Sequence, residues 1–262
     1  MISTGNRTRP ALAVVVLAGV VACGSLAAPS RRTLDGAIAR AEGFLQQRGV
    51  AVDPLMTYVL ARLERRYGLT WTSEHRRLVL AQAPASAQVR LFARLVDPGV
   101  RLDPVALATL TNESDRIILS ALYCPELGAP SPEVVGRFAA KGGTDVSHAA
   151  LALQWSVENG CLSAHALETL RRQIVLGLVE EAARAPAADV GIEAMAMLDY
   201  VGASERIAPT WVEAVLASQH ADGGWGERPG DPSNDHTTVL ALWVVLAVSG
   251  RPAADVPWIP PA

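Results

Sequence analysis

The chain has 262 residues, of which 50% are hydrophobic and 19% charged, and its formal net charge is −3 at pH 7. This length and composition exclude a disordered chain and allow a sizeable folded core. Lys141 is the single lysine and the arginines form no basic stripe, so nucleic acid is not an expected partner. Aromatic residues make up 5% of the chain, which favours helices over strands.

Residues 1–22 have the pattern of a signal peptide. Arg7 and Arg9 precede an apolar stretch that runs from Ala11 to Ala22. A stretch of this length is too short to span a bilayer as a helix, and a basic segment followed by such a stretch is typical of a secretion signal. We therefore expect this segment to be removed and the protein to be exported.

The end of the apolar stretch, Val20-Val21-Ala22-Cys23, resembles the lipobox of bacterial lipoproteins. The resemblance implies cleavage before Cys23 and attachment of lipid to it, which would anchor the protein to a membrane of the bacterial cell envelope. Gly24 stands where an inner-membrane retention signal has Asp, and this slightly favours the outer membrane. Ordinary cleavage after Ala27 is the alternative.

Two further cysteines, Cys124 and Cys161, lie near predicted helix ends. Export places them in an oxidising compartment, where a disulfide between them is possible. Two half-buried free thiols are an equally open alternative.

From residue 33 the chain has a helical pattern almost without a break. Apolar residues recur at spacings of three and four, and Gly and Pro separate the periodic segments. The expected organisation is a tether at 23–32, a helical domain at 33–252 and a Pro-rich tail at 253–262. We predict six amphipathic helices, at 33–48, 72–82, 103–110, 131–140, 163–184 and 207–219, and six more apolar ones, at 54–67, 86–96, 114–124, 146–158, 190–201 and 236–249.

An internal repeat links two of the apolar helices. His148 is separated by six residues from Trp155, and His236 is separated by six residues from Trp243.

Helices that are apolar on all sides are expected to be buried on all sides. Six outer helices that alternate with six inner ones predict an all-α fold, the (α/α)6 toroid, and an open solenoid of helical hairpins is the alternative.

A turn from Gln219 to Trp225 joins an outer helix to the last inner one. Its sequence, Gln-His-Ala-Asp-Gly-Gly-Trp, contains two glycines that permit the positive φ of a tight turn. The turn resembles the QW motif of squalene–hopene cyclase-type enzymes, in the terpenoid cyclase and protein prenyltransferase superfamily. The resemblance implies the toroid fold and a structural role, tying helix ends together, for Gln219, Asp222, Gly223, Gly224 and Trp225.

The residues that follow resemble the β-subunits of protein prenyltransferases. In that family a Gly-Gly turn precedes Pro-Gly and then a His-Thr that opens an inner helix, and the same order occurs here at 223–224, 229–230 and 236–237. The family's His is a zinc ligand, which makes His236 a candidate. The family also uses an Asp-x-Cys, whereas Asn159-Gly160-Cys161 lacks the carboxylate, and zinc needs three or four ligands. His236 and Cys161 are the weak candidates for zinc ligands, and two ligands are too few for a site. We therefore expect no metal and no other cofactor.

The acidic motifs of the superfamily's enzymes are missing from the sequence. Neither the Asp-x-Asp-Asp of its protonating cyclases nor the Asp-Asp-x-x-Asp of metal-dependent terpene synthases occurs. Protonation of an alkene needs a strong and well-supported acid. We therefore expect no catalysis of these types, and whether the protein is an enzyme stays open.

Polar residues stand at the starts of the predicted inner helices, which the resemblance places at one mouth of a central cavity. We expect a polar mouth above an aromatic cavity, formed by Asp115, Asp145, His148, Glu193, Asp235 and His236, with Trp155 and Trp243 below. The alternative is that the acids cap helices and that both tryptophans are core residues.

The function expected from these patterns is non-catalytic binding of an apolar ligand or of an envelope protein. A divergent enzyme that acts on an isoprenoid or a glycan is the alternative, and fold analogy is its sole support.

Overall fold

The structure is a computed structural model, and it describes residues 28–48, 54–69, 87–108 and 110–259. The predicted signal peptide, Cys23 and the helix expected at 72–82 lie outside the described residues.

The described ranges are predominantly helical, which confirms the all-α prediction. Within them the strands are limited to one antiparallel pair, β1 (Trp225–Gly226) and β2 (Ser233–Asn234), and short 3-10 turns occur at Ala93–Leu95, His165–Leu167 and Ser204–Arg206. The α-helices are α1 (Arg31–Arg48), α2 (Pro54–Tyr67), α3 (Ala87–Phe92), α4 (Pro104–Ala108), α5 (Glu113–Leu122), α6 (Cys124–Leu127), α7 (Pro132–Ala139), α8 (Thr144–Glu158), α9 (Glu168–Arg184), α10 (Asp189–Tyr200), α11 (Pro209–Ala217) and α12 (Asp235–Val248).

Side-chain caps fix where several of these helices begin. The Asn112 side chain accepts a hydrogen bond from the Ser114 N–H at the start of α5. Asn234 caps α12 in the same way, by accepting from the Thr237 N–H. These amide groups have no partner within their own helix, so the preceding asparagines stabilise the helix boundaries.

The core is formed mainly by five helices, α2, α5, α8, α10 and α12. Every residue from Gly191 to Tyr200 in α10 is buried, and so is every residue from Thr237 to Leu246 in α12. The central helix α8 contacts α5, α7, α9 and α10, whereas α12 contacts α10 and also α1 and α2. The last helix of the chain therefore packs against the first two. None of the described helices combines the length and the apolar character needed to cross a membrane.

The turn after α11 is bonded to α1, at the other end of the chain. The side-chain N–H groups of Gln219 donate to the carbonyl oxygens of Ala37 and Gly223, at 3.0 and 2.9 Å. The side-chain oxygen of Gln219 accepts from Nε of Arg40 at 2.9 Å. These bonds join two segments of the chain that are far apart in sequence.

The other residues of the turn bond to their local surroundings. Asp222 accepts from the Gly224 N–H at 3.0 Å and from the Ser233 hydroxyl at 2.9 Å. The Trp225 indole is buried, and its N–H donates to the Val215 carbonyl oxygen at 2.7 Å. The side chains of Asp222 and Trp225 thus attach the turn to β2 and α11.

A disulfide joins Cys124, at the start of α6, to Cys161, just after α8. Beside it, the Asn159 side chain donates to the carbonyl oxygens of Ala121 and Leu122, both at 3.0 Å. The Asn-Gly-Cys triplet thus attaches the end of α8 to the end of α5. Its cysteine is bonded to another sulfur, which removes Cys161 from the weak candidates for a zinc ligand.

The predicted Pro-rich tail is docked on the helices as far as Ile259. The Arg65 guanidinium donates to the Trp258 carbonyl oxygen at 2.8 Å. The Glu158 carboxylate accepts from the main-chain N–H groups of Trp258 and Ile259, at 2.9 and 3.0 Å. Because Arg65 and Glu158 stand at the carboxyl ends of α2 and α8, Trp258 is held across that end of the core.

Candidate functional site

A cavity of about 200 Å³ lies between the amino-terminal halves of the five core helices, and we call it the pit. Its rim carries one polar residue from each of four helices, namely Asp115 of α5, His148 of α8, Glu193 of α10 and His236 of α12. The His236 side chain is exposed and those of Asp115 and His148 are half-buried. The pit is therefore open to solvent at its polar end.

Below the rim the walls of the pit are apolar. Ile118, Leu151, Met197 and Leu240 stand three or four residues after the four rim residues, which places them one helical turn deeper. The remaining wall comes from α2, with Leu55, Met56, Tyr58 and Val59.

Aromatic rings close the bottom of the pit. Trp155 and Trp258 both line it, together with Phe92 and Leu95. The rings of the two tryptophans meet edge to face, with centroids 5.8 Å apart, and the Phe92 ring lies 6.4 Å from Trp155. The indole N–H of Trp258 has no hydrogen-bond partner in the described part of the chain. The floor is thus apolar in surface and contains one unused donor.

Trp243, which the repeat predicts in the cavity wall, lies beneath the floor. It is fully buried, and its indole N–H donates to Asp199 at 2.8 Å. Trp258 lies between Trp243 and the pit, with ring centroids 5.4 Å apart. The docked C-terminal segment is the physical reason why one tryptophan of the repeat lines the pit and the other does not.

Two acidic residues expected at the mouth, Asp145 and Asp235, do not line the pit. Asp145 accepts from the Ser114 hydroxyl at 2.8 Å, and Asp235 accepts from Nε of Arg48 at 2.9 Å. Both stand in the first turn of their helices, where a carboxylate also interacts favourably with the helix dipole. Both are therefore first-turn acids whose side chains bond to neighbouring helices, α5 and α1, and neither caps its own helix.

Asp189, which is not among the candidate residues predicted from the sequence, lies beside the rim. Its carboxylate contacts Nδ1 of His236 at 2.9 Å and accepts from the Thr237 hydroxyl at 2.6 Å. Burial would raise the pKa of Asp189, but the hydrogen bonds from His236 and Thr237 outweigh it and lower the pKa. Asp189 falls just outside the helix predicted at 190–201, whereas the observed helix begins with it. An acid next to the start of an apolar helix is the signal that identifies it.

Burial changes the protonation of three rim residues. It raises the pKa of Glu193, which is 7% exposed, to about 7. Burial also raises the pKa of Asp115, although the nearby His148 opposes the change. It lowers the pKa of His148 itself, whose Nδ1 has no hydrogen-bond partner within the described ranges. Glu193 is therefore partly protonated near neutral pH.

One group of side chains on and beside the rim has the composition of a metal site. Asp189, Glu193 and His236 offer ligand atoms that lie within 4.8 Å of one another. Tetrahedral zinc with bonds of ordinary length holds its ligand atoms about 3.3 Å apart, so the cluster would have to contract around an ion. One Asp189 oxygen is already shared between His236 and Thr237. The carboxylate and imidazole ligands suit a divalent cation, and a small movement of the side chains would bring their ligand atoms to suitable distances.

In comparisons with known proteins, no family model matches the chain, and no curated protein or solved structure matches it.

Proposed function

We propose that this protein is an exported, lipid-anchored (α/α)6 toroid whose pit binds a small apolar ligand without catalysing a reaction. One observation carries the binding proposal, namely a cavity with apolar walls, an aromatic floor and a polar open end. Cavities of this kind are the usual sites of small-molecule binding in proteins. An engineered cavity of about 150 Å³ in another protein suffices for benzene, so the volume here suits a molecule of similar or slightly larger size.

Three features support the toroid. Amphipathic and fully buried helices alternate along much of the chain, α12 packs on α1 and α2, and the starts of the core helices meet around one cavity. In an open solenoid the last helix would not contact the first two. The turn at Gln219 to Trp225 supports the same fold through its resemblance to the QW motif.

The ligand proposal is tested by filling the pit. The full-length protein is titrated with 1-hexanol in a calorimeter, and we expect saturable binding to one site. Leu151→Trp places a larger side chain in the pit wall and should reduce the affinity at least about tenfold, because the alcohol loses its space. Leu176→Trp is the matched control, since Leu176 is 56% exposed on α9 and does not line the pit. Equal affinity in the two variants would place the alcohol elsewhere and reject the proposal.

The anchor is proposed from the lipobox resemblance. In bacteria that express the full-length chain with a fatty-acid analogue, we expect the wild type to carry the label and to fractionate with membranes. Cys23→Ala should lose both, because the lipid needs this residue. Cys161→Ala is the control for loss of a cysteine elsewhere, and it should keep the label. A labelled Cys23→Ala protein would contradict the anchor.

A divergent metal-dependent enzyme is the second candidate, and the cluster of Asp189, Glu193 and His236 favours it. A divalent cation bound there would polarise a ligand oxygen or lower the pKa of a bound water, and these residues would hold it at the rim. Zinc titration of the wild type and Glu193→Gln separates the candidates. Stoichiometric uptake that the variant loses would favour the enzyme, and equal uptake by both would remove this support.

A further inference from the structure

We propose that the pit takes a cationic amphiphile, a small molecule with an apolar body in the pit and a protonated amine at the rim. This inference rests on the proposed function, because it names the chemistry of the ligand that the pit binds. It follows from the charges above and below the apolar walls.

The rim is rich in acceptors, and its basic side chains are those of His148 and His236. Asp115 and Glu193 line it, and the Asp189 carboxylate contacts His236 from just outside. No lysine or arginine is among the pit-lining residues of the described chain. Neither Asp115 nor Glu193 forms a salt bridge with any residue in the described ranges. A ligand cation could therefore pair with a carboxylate that no lysine or arginine of the described chain neutralises.

Cations near the core-helix starts are already paired with other acids. Lys141 lies 3.3 Å from Glu113 and 3.9 Å from Asp145, and Arg48 lies 2.9 Å from Asp235. The helix N-termini at this end oppose the binding of a cation, since each carries roughly half a positive charge. The carboxylates of Asp115, Asp189 and Glu193 carry full charges when ionised, and they stand closest to a ligand at the rim.

A buried cation beneath the floor fixes which end of the ligand points inward. Arg62 is 2% exposed, and its guanidinium carbon lies 4.7 Å from the ring centroids of Tyr200 and Trp243 and 5.4 Å from that of Trp258. An ammonium group near the floor would face this positive charge through a single layer of aromatic rings. At the rim the same group meets carboxylates and water, so the amine stays outside and the apolar body enters.

The same arrangement disfavours anionic ligands. A carboxylate or phosphate group at the rim would lie beside Asp115 and Glu193, and the pit lining offers no lysine or arginine to offset the repulsion. A neutral alcohol carries no charge, so the rim carboxylates neither attract it as they attract an amine nor repel it as they repel an anion. Affinity should therefore fall in the order amine, alcohol, carboxylate.

The test compares three ligands of similar size, 1-hexylamine, 1-hexanol and hexanoate, by calorimetric titration of the full-length protein at pH 8 with EDTA present. We expect hexylamine to bind at least about fivefold more tightly than hexanol, and hexanoate more weakly than hexanol. If hexanol binds and hexylamine binds no better, the inference fails and the proposed function stands. If none of the three ligands binds, both the inference and the proposed ligand-binding function fail.

Variants separate charge from shape. Asp115→Asn and Glu193→Gln keep the size of the side chain and remove the charge, so each should weaken hexylamine binding at least about threefold more than it changes hexanol binding. Glu133→Gln is the control, because Glu133 also stands in the first turn of a helix, α7, but does not line the pit. Unchanged hexylamine binding in both rim variants would overturn the inference, as would an equal loss in the control.

Discussion

Gly223→Ala is expected to destabilise the protein by at least about 3 kcal/mol, far more than a typical surface substitution. Gly223 has a φ of +93°, which L residues rarely adopt, and a Cβ there would lie 2.2 Å from the Arg40 carbonyl oxygen. Since Gln219 bonds to the same turn and to α1, the clash would also loosen the link between the two ends of the chain. Urea unfolding followed by circular dichroism measures the change in the free energy of unfolding.

Gly230→Ala is a matched control for this substitution. Gly230 has the same φ of +93°, but nothing lies within 4 Å of a Cβ at that position. Gly230→Ala thus introduces the backbone strain without the clash, and it should lower the free energy of unfolding by about 1–2 kcal/mol. If both variants lose the same stability, close packing of the turn against α1 is not what the glycine provides.

Trp258→Ala is expected to lower the free energy of unfolding by about 3–5 kcal/mol, the range for removing a large aromatic side chain from a core. Trp258 is 3% exposed, and its ring meets those of Trp155, Tyr200 and Trp243 at centroid distances of 5.8, 5.0 and 5.4 Å. The cavity left behind would be continuous with the pit. Chemical denaturation of the variant and the wild type measures the loss.

The exposed neighbour Pro257 provides the control. Pro257→Ala changes the same segment without emptying the core, so its effect should stay within about 1 kcal/mol. A Trp258→Ala protein as stable as this control would mean that the C-terminal segment is not docked, and the pit would then have no floor.

The sequence predicted the helices well because their signals are local. Apolar spacing, asparagine and serine caps and Gly or Pro at helix ends act within a few residues, and the structure places helices near most of the predicted positions in its described ranges. The rim residues His148, Glu193 and His236 could be selected for the same reason. They are polar residues at the starts of apolar helices, where the common direction of the core helices gathers them.

Long-range packing decides the features that the sequence did not reveal. The segment that holds Trp258 has no periodicity and contains several prolines, so nothing in it predicts that its indole enters the core. Trp155 and Trp243 occupy equal positions in the repeat, yet only Trp155 lines the pit, because Trp258 covers Trp243. Asp145 and Asp235 stand in the first turn of their helices and bond to Ser114 and Arg48, whereas Glu193 stands one turn further along α10 and lines the pit.

The central claim is that an apolar ligand occupies the pit, and X-ray diffraction from crystals soaked in 6-bromo-1-hexanol tests it most directly. Data collected at the bromine absorption edge locate the halogen without reference to any assumed pose. The account predicts an anomalous peak between Leu151, Met197 and Leu240, above the ring of Trp155, and loss of that peak in Leu151→Trp. A peak on the protein surface with none in the pit, or a pit peak that Leu151→Trp retains, would contradict it.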